Sequence, residues 1–600
     1  MAHDGPDPVL RYVLNKQSIV DKKLKAELGP DAKITGSLRA SQDGEYHSLH
    51  FDGKSIVSIA DNFRALNQAL LPKKEITIVA TVSIEKGTTY GGIVGVLQDN
   101  GGHEKGWILG YNQKRFYFGL SSTGSDDGDG KMTYLESGSR FDKGKTYHVV
   151  AVYDGETMQL MVNGKLEAES NTQSGDILYA EKAPFVIGGY QDENEDFRHI
   201  GKIGHIAIYR QAAKVEWAQK DFQHYADLVT LPATGVAATK FDLVVKPYLQ
   251  WVTQTSITVM WETSVGADGI VTYGETAECK QSVASQDSKH VHEIILNNLK
   301  PETQYFYKTI SKDASGKTIE SDVRTFQTAN KTETPFAFAV ISDTQGNPTV
   351  SGKLAGYAWD QRPNFLLHTG DLVSTGAADD QWTEQFFKSM DPLVSRVAFF
   401  PVLGNHEGNA RNYYDYMSLP KPEYYYRMTY GNTDFFMIDT NKNVGPDSEQ
   451  YQWLDKALSK SKATWKIVAH HHPAYSSDEN DYGNLWKTNQ STRGDLRVRQ
   501  LTKLYDQHNV DIVWCGHIHS YERTWHIRKD QVVKEGEGTM YLVTGGGGGG
   551  LETPGPFKPA FQNNVRYGHH YCMVAINGTT LEFKAFDLDN RLYDYLKLKK

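Results

Sequence analysis

The sequence predicts a multidomain chain in which two β-sandwiches precede an α/β sandwich. Three observations carry this. The chain has 600 residues, and single cores stop growing near 250–300, so about three domains are expected. Its first half is a run of short alternating segments broken by turn residues. From about residue 334, continuous apolar runs alternate with stretches of helical spacing, the pattern of strands covered on both faces.

The totals exclude several classes. Lys and Arg number 64 against 73 Asp and Glu, a net charge of −9, so no electrostatic footprint for nucleic acid is evident. No apolar run approaches the roughly 20 residues of a membrane span. The opening MAHDGPDP has no basic-then-apolar leader, so a signal peptide is expected to be absent or removed. Cys279, Cys515 and Cys572 form no CxxC pattern, which argues against a disulfide framework.

Residues 10–230 read as a jelly-roll sandwich. In YHVVAVYDGETMQLMVNGKLEA two alternating runs flank Asp154-Gly155, and Asn163-Gly164 marks the next tight turn. FVIGGY and GKIGHIAIYR repeat the pattern. With LHFDGKSIVSI, these stretches resemble the laminin-G / concanavalin-like family. Members of that family often bind glycans, some through calcium, so a glycan is a possible partner. No cluster here names a ligand, and Asp154 and Asn163 read as turn residues. A linker, LVTLPATGVAATKFD, spans 228–242. Residues 243–330 form a second β unit. Its KPYLQWVTQTSITVMWET and NNLKPETQYFYKT resemble the fibronectin-III-like domain that precedes the catalytic domain of purple acid phosphatases, with a structural role expected.

Residues 334–600 carry the chemistry. FAFAVISD, NFLLHTGD, VAFFPVLGN, WKIVAHHH and VDIVWCGHIH are strands ending in polar residues, at Asp343, Gly370-Asp371, Gly404-Asn405-His406-Glu407, His471, and His517 with His519. SEQYQWLDKALSKS and RVRQLTKLYDQHN have helical spacing between them. Ligand sites in open α/β sheets lie beyond the carboxyl ends of strands. Oxygen and nitrogen donors without thiolate suit Mn, Fe, Zn or Mg. Each piece alone is a turn, a loop or a satisfied polar group; five in this order point to a metal site.

The order Asp…Gly-Asp…Gly-Asn-His-Glu…His…Gly-His-x-His resembles the calcineurin-like metallophosphoesterase superfamily, whose fold is a four-layer α/β sandwich. HHPAYSS, GHIHSYERT and YGNTDFFMIDT bring it nearest to the purple acid phosphatases. The resemblance implies two divalent metal ions. Asp371 would bridge them, Asp343 and His519 would hold metal one, and Asn405, His471 and His517 metal two. His406 would assist the leaving group while a metal-bridging hydroxide attacks a phosphate monoester or diester. Which of His470, His471 and His472 is the ligand follows family register; strand alternation places His470 and His472 opposite His471. Two departures stand out. Purple members carry a tyrosine where this chain has Ser374. Many other relatives carry a histidine where it has Gln345, which either ligates through its amide oxygen or leaves the place to water. A divalent pair without the purple colour is therefore expected.

Smaller features have plainer readings. TGGGGGG, residues 544–550, follows a strand inside a domain and reads as an active-site rim. Glu522 and Arg523 read as a structural ion pair. His569 and His570 read as part of the C-terminal β region. The tyrosines 413, 414, 416 and 424–426 read as packing, or as a wall for the leaving group. The function expected is a secreted or periplasmic phosphoesterase. The alternative is a glycan-binding surface protein with a weak or inactive phosphoesterase domain.

Overall fold

The computed structural model describes residues 7–62, 71–101, 103–236, 239–478, 481–482, 491–553, 555 and 558–600. The chain divides into two compact units, Met1–Thr239 and Lys240–Lys600. Among the described residues no helix is long and apolar enough to cross a membrane.

The first unit is a sandwich of an eight-stranded and a nine-stranded antiparallel sheet. The strand Ile76–Ile84 shows why its sequence is apolar throughout. Ile76, Ile78, Ala80, Val82 and Ile84 face the core between the sheets. Val79 faces outward, under Ala218 of the helix Val215–Gln223. Both faces are covered, so the polar half of the alternation is lost. The turn at Asn163-Gly164 joins Met158–Val162 to Lys165–Ser170, with φ of 50° and 73° at its two residues. These are the left-handed pairs that a two-residue hairpin needs.

The second unit begins with six strands in one hydrogen-bonded sheet, organised around the 18-residue strand Ile257–Gly274. The remainder has four layers. In one sheet Phe336–Ile341, Phe365–His368 and Ala398–Pro401 run parallel. In the other, Thr433–Ile438, Trp465–His470, Ile512–Cys515 and Thr539–Thr544 run parallel. The sheets meet through rings: Phe338 stacks on Phe365 at 4.9 Å, and Phe435 of the opposite sheet stands edge-on to both at 5.2 and 5.4 Å, a favoured aromatic geometry. The helix Pro348–Asp360 is capped by Asn347 and buries Leu354, Ala355 and Ala358. The helix Glu449–Lys460 is capped by Ser448 and buries Leu454 and Leu458 beneath the other sheet.

Tyrosines tie the six-stranded part to the four-layer part. Tyr248 Oη donates to the Tyr416 carbonyl (2.8 Å), Tyr307 Oη to the Ser395 carbonyl (2.7 Å), and Tyr416 Oη to Glu262 (2.6 Å). Tyr413, Tyr416, Tyr425 and Tyr426 are buried. Packing therefore accounts for these four, leaving Tyr414 and Tyr424 half-buried.

Candidate metal centre

The parallel strands of both sheets end on one side, and the polar residues lie in the loops just past them. Strands end at Ile341, His368, Pro401, His470 and Cys515. The next few residues deliver Asp343, Asp371, Asn405, His471, His517 and His519. Asp343, Asp371 and His517 have φ of 56°, 56° and 71°. Left-handed backbone at residues other than Gly costs about 1–3 kcal/mol and concentrates at functional sites. Local bonds hold it here: Asp343 N–H donates to the Gly370 carbonyl (3.0 Å) and His517 N–H to Asp343 Oδ1 (3.0 Å).

The donor atoms converge. Ligating atoms of Asp343, Asp371 and His471 lie within 4.8 Å of one another. His471 Nε2 is 3.2 Å from Asp371 Oδ2 and 3.0 Å from Asn405 Oδ1. His517 Nδ1 is 3.0 Å from the same Asn405 oxygen, and His519 Nε2 is 3.4 Å from Asp343 Oδ1. Each imidazole is held from outside: His471 Nδ1 by the Thr369 carbonyl (2.9 Å), His519 Nδ1 by the Gly550 carbonyl (2.6 Å), His517 Nε2 by Asp481 (3.0 Å). An outer N–H bonded to an acceptor turns the inner nitrogen toward the centre, the arrangement of metal-ligating histidines, and a bound cation would take the place of the inner proton. The carboxylates make the centre strongly negative. Burial lowers the pKa of His471, yet Asp371 carries it up to about 10; burial lowers His519, yet Asp343 carries it up to about 9. The donor set therefore fits divalent cations.

Gln345 faces the centre. Its Nε2 is 3.2 Å from Asp371 Oδ2 and 3.2 Å from His519 Nε2, while its Oε1 is buried without a hydrogen-bond partner. The Ser374 side chain turns elsewhere, to Gln385 Oε1 (3.2 Å). The two departures thus differ: position 345 points at the site and position 374 does not.

His406 sits at the open edge, with its side chain 41% exposed. Its backbone N–H donates to Asp371 Oδ1 (2.9 Å) and its Nδ1–H to the Ser374 carbonyl (2.7 Å). Nε2 is left toward the centre, 3.9 Å from Asp371 Oδ2.

Three expectations change. His470 does point away from His471, with Nδ1 3.6 Å from Cys515 Sγ and its ring stacked on Tyr505. His472 does not. The strand ends at His470, so alternation no longer applies, and the His472 ring lies 4.4 Å from that of His517, with Nδ1 bonded to Thr440 Oγ1 (2.8 Å). Glu522 and Arg523 are no ion pair: neighbours on a strand face opposite ways. Arg523 grips Asp594 through two bonds (2.7 and 3.0 Å), and Glu522 accepts from Ser477 N–H (2.8 Å). The glycine run is a wall bonded to protein backbone. Gly547 N–H donates to the Ser342 carbonyl and Gly549 N–H to the Asp343 carbonyl, both at 2.9 Å. A Cβ on Gly549 would stand 2.5 Å from the His519 ring, so only glycine fits. His569 and His570 bond this segment from behind, to the Gly546 carbonyl (3.1 Å) and Thr544 Oγ1 (3.0 Å).

Two residues carry roles that sequence reasoning did not assign. Glu407 is fully buried, and its carboxylate accepts from four backbone N–H groups: Asp371 (3.0 Å), Leu372 (2.8 Å), Val373 (3.3 Å) and Gly404 (2.7 Å). Burial and the Asp371 charge push its pKa up, against those four donors. Its place in GNHE was the available signal. Asp481, which holds His517, lies in a stretch without periodicity and gave none.

Comparison with known proteins agrees with this geometry. Family models match residues 59–219 (concanavalin A-like lectin/glucanases superfamily), 244–328 (purple acid phosphatase, N-terminal domain) and 336–521 (calcineurin-like phosphoesterase). "Probable inactive purple acid phosphatase 27" of Arabidopsis thaliana is 26% identical over 267 residues, 39% of this chain and 41% of that protein. "Probable purple acid phosphatase 20" of the same plant is 26% identical over 356 residues, 55% of this chain and 78% of that protein. "Nucleotide pyrophosphatase/phosphodiesterase" of Hordeum vulgare is 25% identical over 267 residues, 39% of this chain and 68% of that protein. The chain spans 41% and 60% of the length of two inactive-named relatives. The purple acid phosphatase PPD1 of yellow lupin seeds shares the fold, with a TM-score of 0.54 over 95% of both chains at 15% identity. Residues 244–328 and 336–521 thus match, in tandem, the models of the purple acid phosphatase N-terminal domain and of the calcineurin-like phosphoesterase domain, the order in which the six-stranded and four-layer parts follow one another.

Proposed function

We propose that the chain hydrolyses phosphate esters, monoesters or diesters, at a centre of two divalent metal ions. The observation that carries this reading is the set of three imidazoles, each tied from outside and turned with its inner nitrogen toward Asp343, Asp371 or Asn405. Asp371 would bridge the ions. Asp343, His519 and Gln345 would hold one, and Asn405, His471 and His517 the other. Mn, Fe, Zn or Mg bound there would supply Lewis acidity to a phosphoryl oxygen and acidify a water.

The chain's own groups do the rest. Asn405 adds an oxygen donor without a further negative charge that would repel phosphate. The Ser374 carbonyl fixes the His406 Nδ1–H, so Nε2 is the nitrogen turned toward the centre. Cleavage of the ester leaves charge on the departing oxygen, and Nε2–H delivers a proton there. In the metal-free arrangement the Gln345 amide nitrogen donates to Asp371 Oδ2 and lies 3.2 Å from His519 Nε2. A bound cation would favour the opposite amide orientation, in which Gln345 would offer its Oε1, buried here without a hydrogen-bond partner, as a ligand. The domain limits 10–230, 243–330 and 334–600, export from the cytoplasm, and glycan targeting through the sandwich belong to the same reading.

Metal content and turnover test it together. The wild-type chain loaded with Mn²⁺ should bind two ions and hydrolyse a generic aryl phosphate, and a panel of monoesters and diesters sets its preference. Asp371→Asn should lose turnover and metal. His406→Ala should keep metal and slow turnover by roughly 10²–10⁴-fold, the usual scale of general acid catalysis, with alkyl esters suffering more than aryl ones. A wild-type chain that binds no divalent ion and turns nothing over would place it with the relatives named inactive.

A further inference from the structure

We propose that the π-helical segment Trp382–Phe387 is a positioning element for His406, and that Gln385 and Trp382 act on it through the loop 374–376. This rests on the reading above, in which His406 protonates the leaving oxygen.

His406 is exposed, so the core does not orient it. The loop does, at two points: the Ser374 carbonyl accepts from Nδ1–H (2.7 Å), and Gly376 N–H donates to the His406 carbonyl (2.8 Å). Wherever this loop sits, the imidazole follows. Yet residues 370–378 belong to no strand or helix, so the loop needs its own anchors. Gln385 Oε1 accepts from Ser374 N–H (3.3 Å) and Ser374 Oγ–H (3.2 Å), and also reaches Gly346 N–H (3.5 Å) in the loop that carries Gln345. Trp382 is fully buried, and its Nε1–H donates to the Gly376 carbonyl (2.7 Å), which also accepts from Asn412 Nδ2 (3.0 Å). Both side chains come from Trp382–Phe387. π-Helical turns are rare and recur at functional sites, where an extra residue re-aims side chains. Here the segment aims an acceptor at one end of the loop and a donor at the other.

The test uses the full chain loaded with Mn²⁺. Gln385→Met removes the acceptor and keeps the length; Gln385→Glu keeps an acceptor. Gln385→Met should slow hydrolysis of an alkyl phosphate by roughly 10- to 100-fold, the cost of misplacing a reacting group by about 1 Å. The loss on an aryl phosphate with a good leaving group should be smaller, and metal content should be unchanged. Gln385→Glu should restore the alkyl rate. Trp382→Phe, which loses only the N–H, should show the same selective loss should Gln385→Met fail to fold. Equal losses on both esters, or none, would overturn the proposal. His406→Ala run alongside separates the causes. If it shows the selective loss and the Gln385 and Trp382 variants do not, only the positioning role falls; if it shows none, the acid role falls and this inference with it.

Discussion

Replacing Glu407 by Gln should destabilise the C-terminal unit by about 4 kcal/mol. The carboxylate takes Leu372 and Val373 N–H on one oxygen, and Asp371 and Gly404 N–H on the other. An amide keeps one oxygen and turns an NH₂ group toward the remaining two donors. Two buried N–H groups are then unpaired, at about 1–3 kcal/mol each. The side chain has no exposed surface through which water could replace them. Denaturant unfolding with a chelator present isolates the fold from metal binding. Tryptophan fluorescence reports mainly this unit, because only Trp107 and Trp217 of the 11 tryptophans lie outside it. Burial and the Asp371 charge raise the Glu407 pKa to about 8, so unfolding is measured above that pH, where the carboxylate is ionised. Four N–H donors around both oxygens offer a carboxyl proton no acceptor, which favours that state. A loss below about 1 kcal/mol, the ordinary net worth of one hydrogen bond, would mean that residue 407 already carries a proton, and would refute the prediction.

Gln345→His should lower the Mn²⁺ or Zn²⁺ concentration giving half-maximal activity, since imidazole binds these ions better than a neutral amide oxygen; an unchanged value in a folded variant would remove residue 345 from the ligand set. Glu522→Gln should alter the pH dependence of stability. Burial lifts the Glu522 carboxyl from 4.5 to about 7, so the folded chain retains a proton that the unfolded chain releases, and stability falls as pH rises between those values. The variant lacks this penalty, so its stability relative to wild type should rise from pH 4 to pH 8 by up to about 3 kcal/mol; thermal unfolding at the two pH values reads it, and a pH-independent difference would count against a buried, proton-holding Glu522. A chain beginning at Lys240 should hydrolyse a small aryl phosphate at a rate similar to the full chain, because the proposed ligands all lie in Lys240–Lys600; loss of that activity with metals retained would give the N-terminal sandwich a part in the site.

The candidate centre was legible because coordination chemistry restricts donor types and parallel topology brings strand ends together. Those two rules singled out the strand ends that carry Asp343, Asp371, Asn405, His471, His517 and His519; the sharing of these residues between two ions, and the choice of His471 over its neighbours, came from the family resemblance. What the sequence hid depends on geometry beyond strand ends. His472 lies one residue past the point where a strand's alternation could place it, and two past the strand's end at His470. Asp481 acquires its role from a loop meeting His517 across the chain. Glu407 was visible as part of a motif, but four backbone donors from two loops are a property of the fold. The Glu522–Arg523 reading failed because proximity in sequence was given weight over the opposed directions of neighbours on a strand. The strand Ile257–Gly274 was legible only at its start, SITVMWET, since Gly266 and Gly269 interrupt the pattern beyond it.

The tyrosine-bonded seam inside the C-terminal unit has a practical meaning for fragments. Tyr248 packs 4.4 Å from the Phe387 ring and 6.1 Å from Phe399, and Trp251 meets Phe400 at 5.9 Å and Tyr426 at 6.0 Å. All four partners belong to the four-layer part, so a protein cut at residue 334 would turn a row of aromatic rings out to water. Contiguous apolar surface of that kind drives self-association. The six-stranded segment thus works as a permanently tethered cover: it supplies none of the proposed metal ligands, yet the four-layer part expressed without it is expected to precipitate before any activity can be measured.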